Sequence, residues 1–311
     1  MKKARFISMV VFLLLGVLQA RGCWASEGDA GTSSAQFLKL GLGARALAMG
    51  GAFAGLADDV TALYWNPAGL AGLDGRELSF THQSLFQNVS YEFAVFAQPV
   101  GEVGVLAGGV SYLHMDQLQG RDELGDFTSE FTSSDVGLTL GLGLEAGNSL
   151  LLGASIKYLN QTIEDYSAHA LAFDLGWLYR IPGDRFRVGG IIQNLGHEMK
   201  FVSESYALPR VLKLGVAYSD SLARGSINVV TDVYVPSDDR NSLHLGTEYT
   251  YGNLVAARMG YDGSSDLGSR SKLSFGAGLI FSRAHTCRLD YCFLPQGDLG
   301  ESHTISLLFH F

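Results

Sequence analysis

Ser134 to Ala146 reads SDVGLTLGLGLEA, and this stretch decides the fold. Val136, Leu138, Leu140, Leu142 and Leu144 fall on every second position, against Asp135, Gly137, Thr139, Gly141, Gly143 and Glu145. Side chains of a strand point alternately to its two faces, so the pattern describes one apolar face and one small or polar face. The same alternation recurs at 171–181 and at 273–281, where Leu273, Phe275, Ala277, Leu279 and Phe281 oppose Ser274, Gly276 and Gly278. From residue 76 onward about fourteen such segments follow one another, at 76–82, 89–98, 102–114, 132–145, 149–163, 167–181, 186–195, 209–219, 225–235, 241–251, 253–261, 271–282, 285–293 and 302–311. The weak alternation of 102–114 suggests a bulge there. Connections alternate between longer and shorter, as expected of a membrane barrel with long loops on one side and short turns on the other.

Composition narrows the class. The chain has 311 residues, 39 of them glycine and 6 proline, with 11% aromatic and only 17% charged residues. A disordered chain would be charge-rich and aromatic-poor, and 3 cysteines cannot make a disulfide scaffold. The net charge of −9 and the lack of a basic stripe exclude a nucleic-acid partner. Residues 1–25 read as a secretory signal peptide: Lys2, Lys3 and Arg5 precede the apolar run Phe6 to Leu18, and cleavage is expected after Ala25. That run is too short to span a bilayer as a helix, and no later stretch is long enough.

An exported, glycine-rich chain without spanning helices points to an all-β protein: a transmembrane antiparallel β-barrel over residues 76–311 in the cell outer membrane. Lipid forces every backbone polar group to be paired, so a spanning sheet closes on itself. Ten residues of strand rise about 33 Å, and a tilt near 45° leaves about 23 Å of height, close to the apolar band of such barrels. The second face is expected to line the lumen, with Glu77, Glu92, Asp174, Lys213, Asp232, Glu248, Arg258 and Asp290 among its charges. Both signs occur, which implies interior ion pairs or a partly filled lumen rather than an ion-selective open pore. Outer-membrane lipids are the expected surroundings. The last strand ends on Phe311, and a terminal aromatic on an alternating strand resembles the signal read by the barrel-assembly machinery.

Residues 26–75 break the pattern and read as a hatch or plug segment inside the lumen. Asp58 or Asp59 is expected to cap a short helix over Val60 to Tyr64, ended by Asn66-Pro67, and Gly50-Gly51 permits positive φ or close backbone approach. GARALAMGGAFAGLADD (Gly43–Asp59) followed by YWNPAGL (Tyr64–Leu70) resembles the N-terminal signature of the PorV/PorQ family, itself similar to FadL-type outer-membrane transporters with an Asn-Pro-Ala motif in their hatch. Arg45, Met49, Gly50, Ala52, Asp58, Asp59, Asn66, Pro67, Ala68 and Gly69 carry the match. The resemblance implies transport of hydrophobic small molecules, long-chain fatty-acid-like, through a hatch-gated barrel. Its alternative is a type IX secretion-type accessory holding a protein partner through external loops such as 114–131. Arg45, Gly50, Gly51, Asp58, Asp59, Asn66, Pro67 and Ala68 are then the expected hatch and ligand-path residues.

No catalytic, metal or cofactor site is read from the sequence. The 8 histidines lack metal-ligand spacing, and there is no Walker A or Gly-x-Ser-x-Gly sequence, so the chain is not expected to be an enzyme. Cys287 and Cys292, five apart on one strand, face opposite sides about 16 Å apart and should not bridge.

Overall fold

The computed structural model describes residues 31–116, 118–183, 185–222, 224–264, 272–282 and 285–311. The signal peptide and cleavage site expected within residues 1–25 lie outside the described residues. Among the described residues, eighteen strands follow four short helical turns at Gln36–Lys39, Ala44–Leu47, Ala62–Trp65 and Pro67–Gly72. The strands are β1 (Glu77–Ser84), β2 (Val89–Pro99), β3 (Val105–Met115), β4 (Leu118–Arg121), β5 (Phe127–Phe131), β6 (Ser133–Glu145), β7 (Leu150–Ile163), β8 (Tyr166–Arg180) and β9 (Phe186–Gly196). They continue as β10 (Met199–Phe201), β11 (Glu204–Tyr206), β12 (Val211–Leu222), β13 (Gly225–Pro236), β14 (Ser242–Tyr251), β15 (Val255–Asp262), β16 (Leu273–Ser282), β17 (Thr286–Pro295) and β18 (Glu301–His310). β4–β5 and β10–β11 are small hairpins within two of the long connections. The other fourteen strands form one closed antiparallel barrel, sealed where β1 pairs with β18 along Glu77–His310 to Ser84–His303. Each of the fourteen segments read from alternation has its counterpart, displaced by a few residues at the ends.

Alternation places large apolar side chains on the outside. Leu138, Leu140, Phe173, Leu175, Phe275, Leu279 and Ile305 are exposed on the outer wall. A continuous apolar outer surface of this extent belongs in hydrocarbon, and closure leaves no unpaired edge within it, so this is a transmembrane barrel. None of the described helices is long and apolar enough to cross a membrane.

Two expectations are corrected. The bulge suspected in β3 is absent: β2 and β3 pair without interruption from Val89–Met115 to Pro99–Val105. The weak alternation arose because Val103 belongs to a turn before the strand and Gly108-Gly109 carry no side chain. A bulge sits instead in β9, where Gln193 and Asn194 together oppose Asp174, and Asn194 takes φ 61°. Glu92 does not line the lumen. It faces outward, 2.7 Å from His82 Nδ1. In β2 the apolar face points inward, because Tyr91, Phe93, Val95 and Ala97 pack on the N-terminal segment; Phe37 meets Tyr91 edge to face at 6.3 Å. Apolar does not mean lipid-facing where the lumen is filled.

Residues 35–73 are almost wholly buried against the inward faces of the strands. Lumen-facing glycines make the room. A Cβ on Gly176 of β8 would lie 2.1 Å from Asn66 Oδ1, and one on Gly153 of β7 2.1 Å from the Ala68 nitrogen. Gly143, one of the glycines that alternate with leucine in β6, would likewise bring a Cβ to 2.4 Å from the Ala71 nitrogen.

Candidate functional site

The N-terminal segment is tied to the wall at three places. The first is a buried network toward the short-turn rim. Arg45 contacts Asp58 at 2.6 Å, Asp59 at 3.0 Å and Glu248 at 2.8 Å. Arg258 bridges Glu248 and Asp290 at 2.6 and 2.8 Å, and Arg288 joins Asp290 to Asp59 at 2.7 Å each. Burial works against the Asp59 carboxylate, but Arg288 and Arg45 outweigh it and hold the group well below the usual carboxylate range. Burial also disfavours the Arg45 guanidinium; Asp58 and Glu248 outweigh it, so Arg45 stays charged. Buried charges paired with one another confer position more than net stability, since removing one partner strands the rest.

The second tie is Asn66. Its Nδ2 donates to the Ala54 and Trp177 carbonyls at 2.9 and 3.1 Å, and its Oδ1 accepts from the Ala68 amide at 3.2 Å. Proline at the next position starts the helical turn Pro67–Gly72, where its missing N–H costs nothing. The expected helix before it runs from Ala62 to Trp65, with Asp59 Oδ1 accepting from the Thr61 amide and hydroxyl. Asp59 therefore shapes that turn as well as the ionic network, while Asp58 reaches Arg45 and, at 3.5 Å, Arg187.

The third tie borders a cavity of about 170 Å³ near the long-connection rim, between the segment and β9, β12, β13, β14 and β15. Gly50 and Gly51 line it with φ 67° and 74°. His244 Nδ1 donates to the Gly50 carbonyl at 2.8 Å, and its Nε2 lies 2.9 Å from the Ser242 hydroxyl, which donates to it in that tautomer. The Tyr234 hydroxyl donates to the Gly51 carbonyl, and its ring stacks on His244 at 3.9 Å. Tyr64 and Trp65 form the floor, pinned by a Tyr64 hydroxyl bond to the Leu38 carbonyl and a Trp65 Nε1 bond to the Leu42 carbonyl, both 2.7 Å. Lys213 projects among these rings, 4.4 Å from the Tyr234 centroid, 4.8 Å from Trp65 and 5.6 Å from Tyr64.

Of the residues singled out from the sequence, only Gly50 and Gly51 border this cavity. Arg45, Asp58 and Asp59 sit in the ionic network, and Asn66, Pro67 and Ala68 pack on β7 and β8. Sequence reading missed Tyr64, Trp65, Gln193, Tyr234 and His244 as neighbours. Lys213 was seen as lumen-facing, but its aromatic surroundings come from two separate stretches of chain, Tyr64-Trp65 and Tyr234, and no local spacing announces them. Among the described residues no group of three or more His, Cys, Asp or Glu is placed to hold a metal ion. Cys287 and Cys292 are both free thiols.

A family model described as an uncharacterised protein family, UPF0164, matches residues 19–120. No curated protein matches the chain. Among solved structures, the Ralstonia pickettii toluene transporter TbuX is similar with TM-score 0.58 and 14% identity, covering 87% of this chain and 97% of that one. The P. putida toluene transporter TodX aligns with TM-score 0.56 and 15% identity over 87% and 96%. A Pseudomonas aeruginosa FadL homologue aligns with TM-score 0.52 and 13% identity over 84% and 95%. At these identities the likeness is one of fold: the chain has the barrel fold found in FadL-type transporters.

Proposed function

We propose that this chain is an outer-membrane channel for hydrophobic small molecules, a PorV/PorQ-like relative of the FadL-type barrels, exported by a signal peptide over residues 1–25. In this reading residues 26–75 act as a hatch, and the chain is a conduit rather than an enzyme. One observation carries it. The cavity at the long-connection rim shares its walls with the hatch: Tyr234 and His244 both face the cavity and hold the Gly51 and Gly50 carbonyls. A ligand that moves either ring loosens the two glycines, whose positive φ already marks them as the place where the segment turns. The solved structures of similar fold include two named toluene transporters, which supports an apolar cargo. Assembly into the membrane would begin from the β18 end, where Phe311 and Arg76 exchange backbone hydrogen bonds at 3.0 Å and Phe311 stays exposed.

The test is influx of decanoate and of toluene into liposomes carrying the full chain. The wild type should admit at least one of them faster than empty liposomes. Asn66→Ala, which unties the segment from the Trp177 carbonyl of β8 and removes its internal bond to Ala54, should alter that influx while the folded barrel keeps its heat-modifiable gel mobility. Influx equal to that of empty liposomes would sink the channel reading, and influx unaltered by Asn66→Ala would sink the hatch.

A second reading has its own observation. Leu124, at the tip between β4 and β5, is 88% exposed and Phe127 is 57% exposed, beyond the barrel proper. Two apolar side chains held out on a hairpin suit contact with a protein partner, as in a secretion accessory. Deleting 118–131 should then abolish recovery of a partner from the native membrane without changing influx.

A further inference from the structure

Lys213 is the side chain that the arrangement above leaves without an assigned role. It is 4% exposed and projects from β12 into the cavity. Its contacts are ring faces: Tyr234, Trp65 and Tyr64 surround the ammonium within 5.6 Å. Among the described residues it has no hydrogen-bond acceptor and no ion pair within bonding distance. Ring quadrupoles attract a cation, but they leave the three N–H donors of an ammonium unmet. The acids nearby stand beyond hydrogen-bond distance of it. Asp232, on the adjacent strand, spends Oδ2 on the Phe53 and Ala54 amides at 2.8 and 2.7 Å, and its Oδ1 has no hydrogen-bond partner among the described residues. Asp174 is held by Lys157 at 2.7 Å, and Asp262 lies 3.4 Å from His244 at the cavity mouth. Lys39 is tied to Asp238 at 2.6 Å.

A nearly buried ammonium facing open space asks for an acceptor that arrives with the ligand. Size limits the rest of that ligand. The cavity measures about 170 Å³, and an engineered cavity of about 150 Å³ admits one benzene ring. The walls are Trp65, Tyr64, Tyr234 and the His244 ring stacked on it, with Leu38, Leu40 and Leu47 above and beside them. One ring fits between such faces; a long alkyl chain would have to thread out of the mouth.

We propose that this cavity binds a single-ring aromatic carboxylate, its carboxylate accepting from the Lys213 ammonium and its ring lying among Trp65, Tyr64 and Tyr234. The proposal rests on the channel reading and names the substrate class within it. A monocarboxylate matches one ammonium, and its two oxygens can take two of the three donors.

The test is calorimetric titration of the full-length barrel in detergent with benzoate, its neutral counterpart toluene, and decanoate. Benzoate should bind at least about tenfold more tightly than toluene, the loss expected when a charged hydrogen bond is missing. Lys213→Met should weaken benzoate by about tenfold or more and leave toluene within about twofold. Wild-type toluene or decanoate binding without benzoate binding would overturn the carboxylate assignment and leave the channel reading standing. Benzoate binding unchanged in Lys213→Met would overturn it in the same way. If none of the three ligands binds, and none enters liposomes, both readings fail together. The wild-type ranking decides the matter even if Lys213→Met does not fold.

Discussion

At the scale of single residues, this barrel depends on a few contacts between a buried segment and lumen-facing glycines. Gly176 has no room for a side chain, because Asn66 Oδ1 would lie 2.1 Å from its Cβ. Gly108, on the outward face of β3, would bring its Cβ no closer than 3.4 Å to a Leu140 methyl. The two glycines look equivalent in the sequence and should behave differently. Gly176→Val should destabilise the barrel by about 1–3 kcal/mol through overpacking, while Gly108→Ala should be nearly neutral. The urea midpoint of the refolded protein in lipid vesicles measures both, and equal shifts would contradict the packing described above. Asn66 shows why side-chain chemistry matters as well as size: its carboxamide meets three backbone groups, which aspartate could not do with two acceptor oxygens.

At the scale of elements, the strap from Ser33 to Lys39 gathers three of its side chains on one carboxylate, beside backbone bonds from Ser34 to Ala207 and from Ala35 to Gln161. Asp238 Oδ2, in the connection between β13 and β14, accepts from Lys39 at 2.6 Å, from Gln36 at 3.4 Å and from the Ser33 hydroxyl. Burial favours the neutral acid, but Lys39 and Ser33 more than offset it, so the Asp238 carboxyl lies below its ordinary value. A depressed carboxyl adds stability above its unfolded value, near pH 3.9, and loses it as pH falls through the folded value. The strap should therefore be held at neutral pH and release in acid. Hydrogen exchange of residues 33–40 should quicken only as pH falls below about 3.9 toward about 2, after correction for intrinsic rates, and Asp238→Asn should already show fast exchange at neutral pH. Protection that persists at about pH 2 in the wild type would mean that other contacts hold the strap.

At the scale of the whole molecule, the fold is turned inside out relative to a soluble one, with an apolar exterior and a lumen packed by charge networks and its own N-terminal segment. Leu140, in the middle of β6, is 66% exposed on the outer wall. If hydrocarbon covers it, Leu140→Arg should cost about 2–4 kcal/mol in a bilayer, the penalty for arginine at the midplane of such barrels. Unfolding equilibria in lipid vesicles measure the difference, and a neutral result would place that wall outside the hydrocarbon. The lumen sets the opposite rule. Arg45, Arg258 and Arg288 share Asp59, Glu248 and Asp290, so the segment and three strands, β14, β15 and β17, form one ionic unit that cannot be loosened at a single pair.

How far the chain could be read without its structure follows from the range of the forces involved. Period-two alternation is a local consequence of strand geometry, so the fourteen strands, their order and the closed sheet were all legible. So was the irregular character of residues 31–75, where the structure has short helical turns and no barrel strand, because a segment that cannot alternate cannot join the sheet. The facing of β2 was not legible: its apolar side chains turn inward onto Phe37 and its neighbours, a preference created by what fills the lumen. Nor was the cavity, whose lining joins Gly50, Tyr64, Lys213, Tyr234 and His244 from distant parts of the chain. Local pattern governs which residues become strand, since that depends on the nearest neighbours. Which side chains meet across the lumen depends on barrel closure and register, and only the tertiary structure brings Lys213 among three rings.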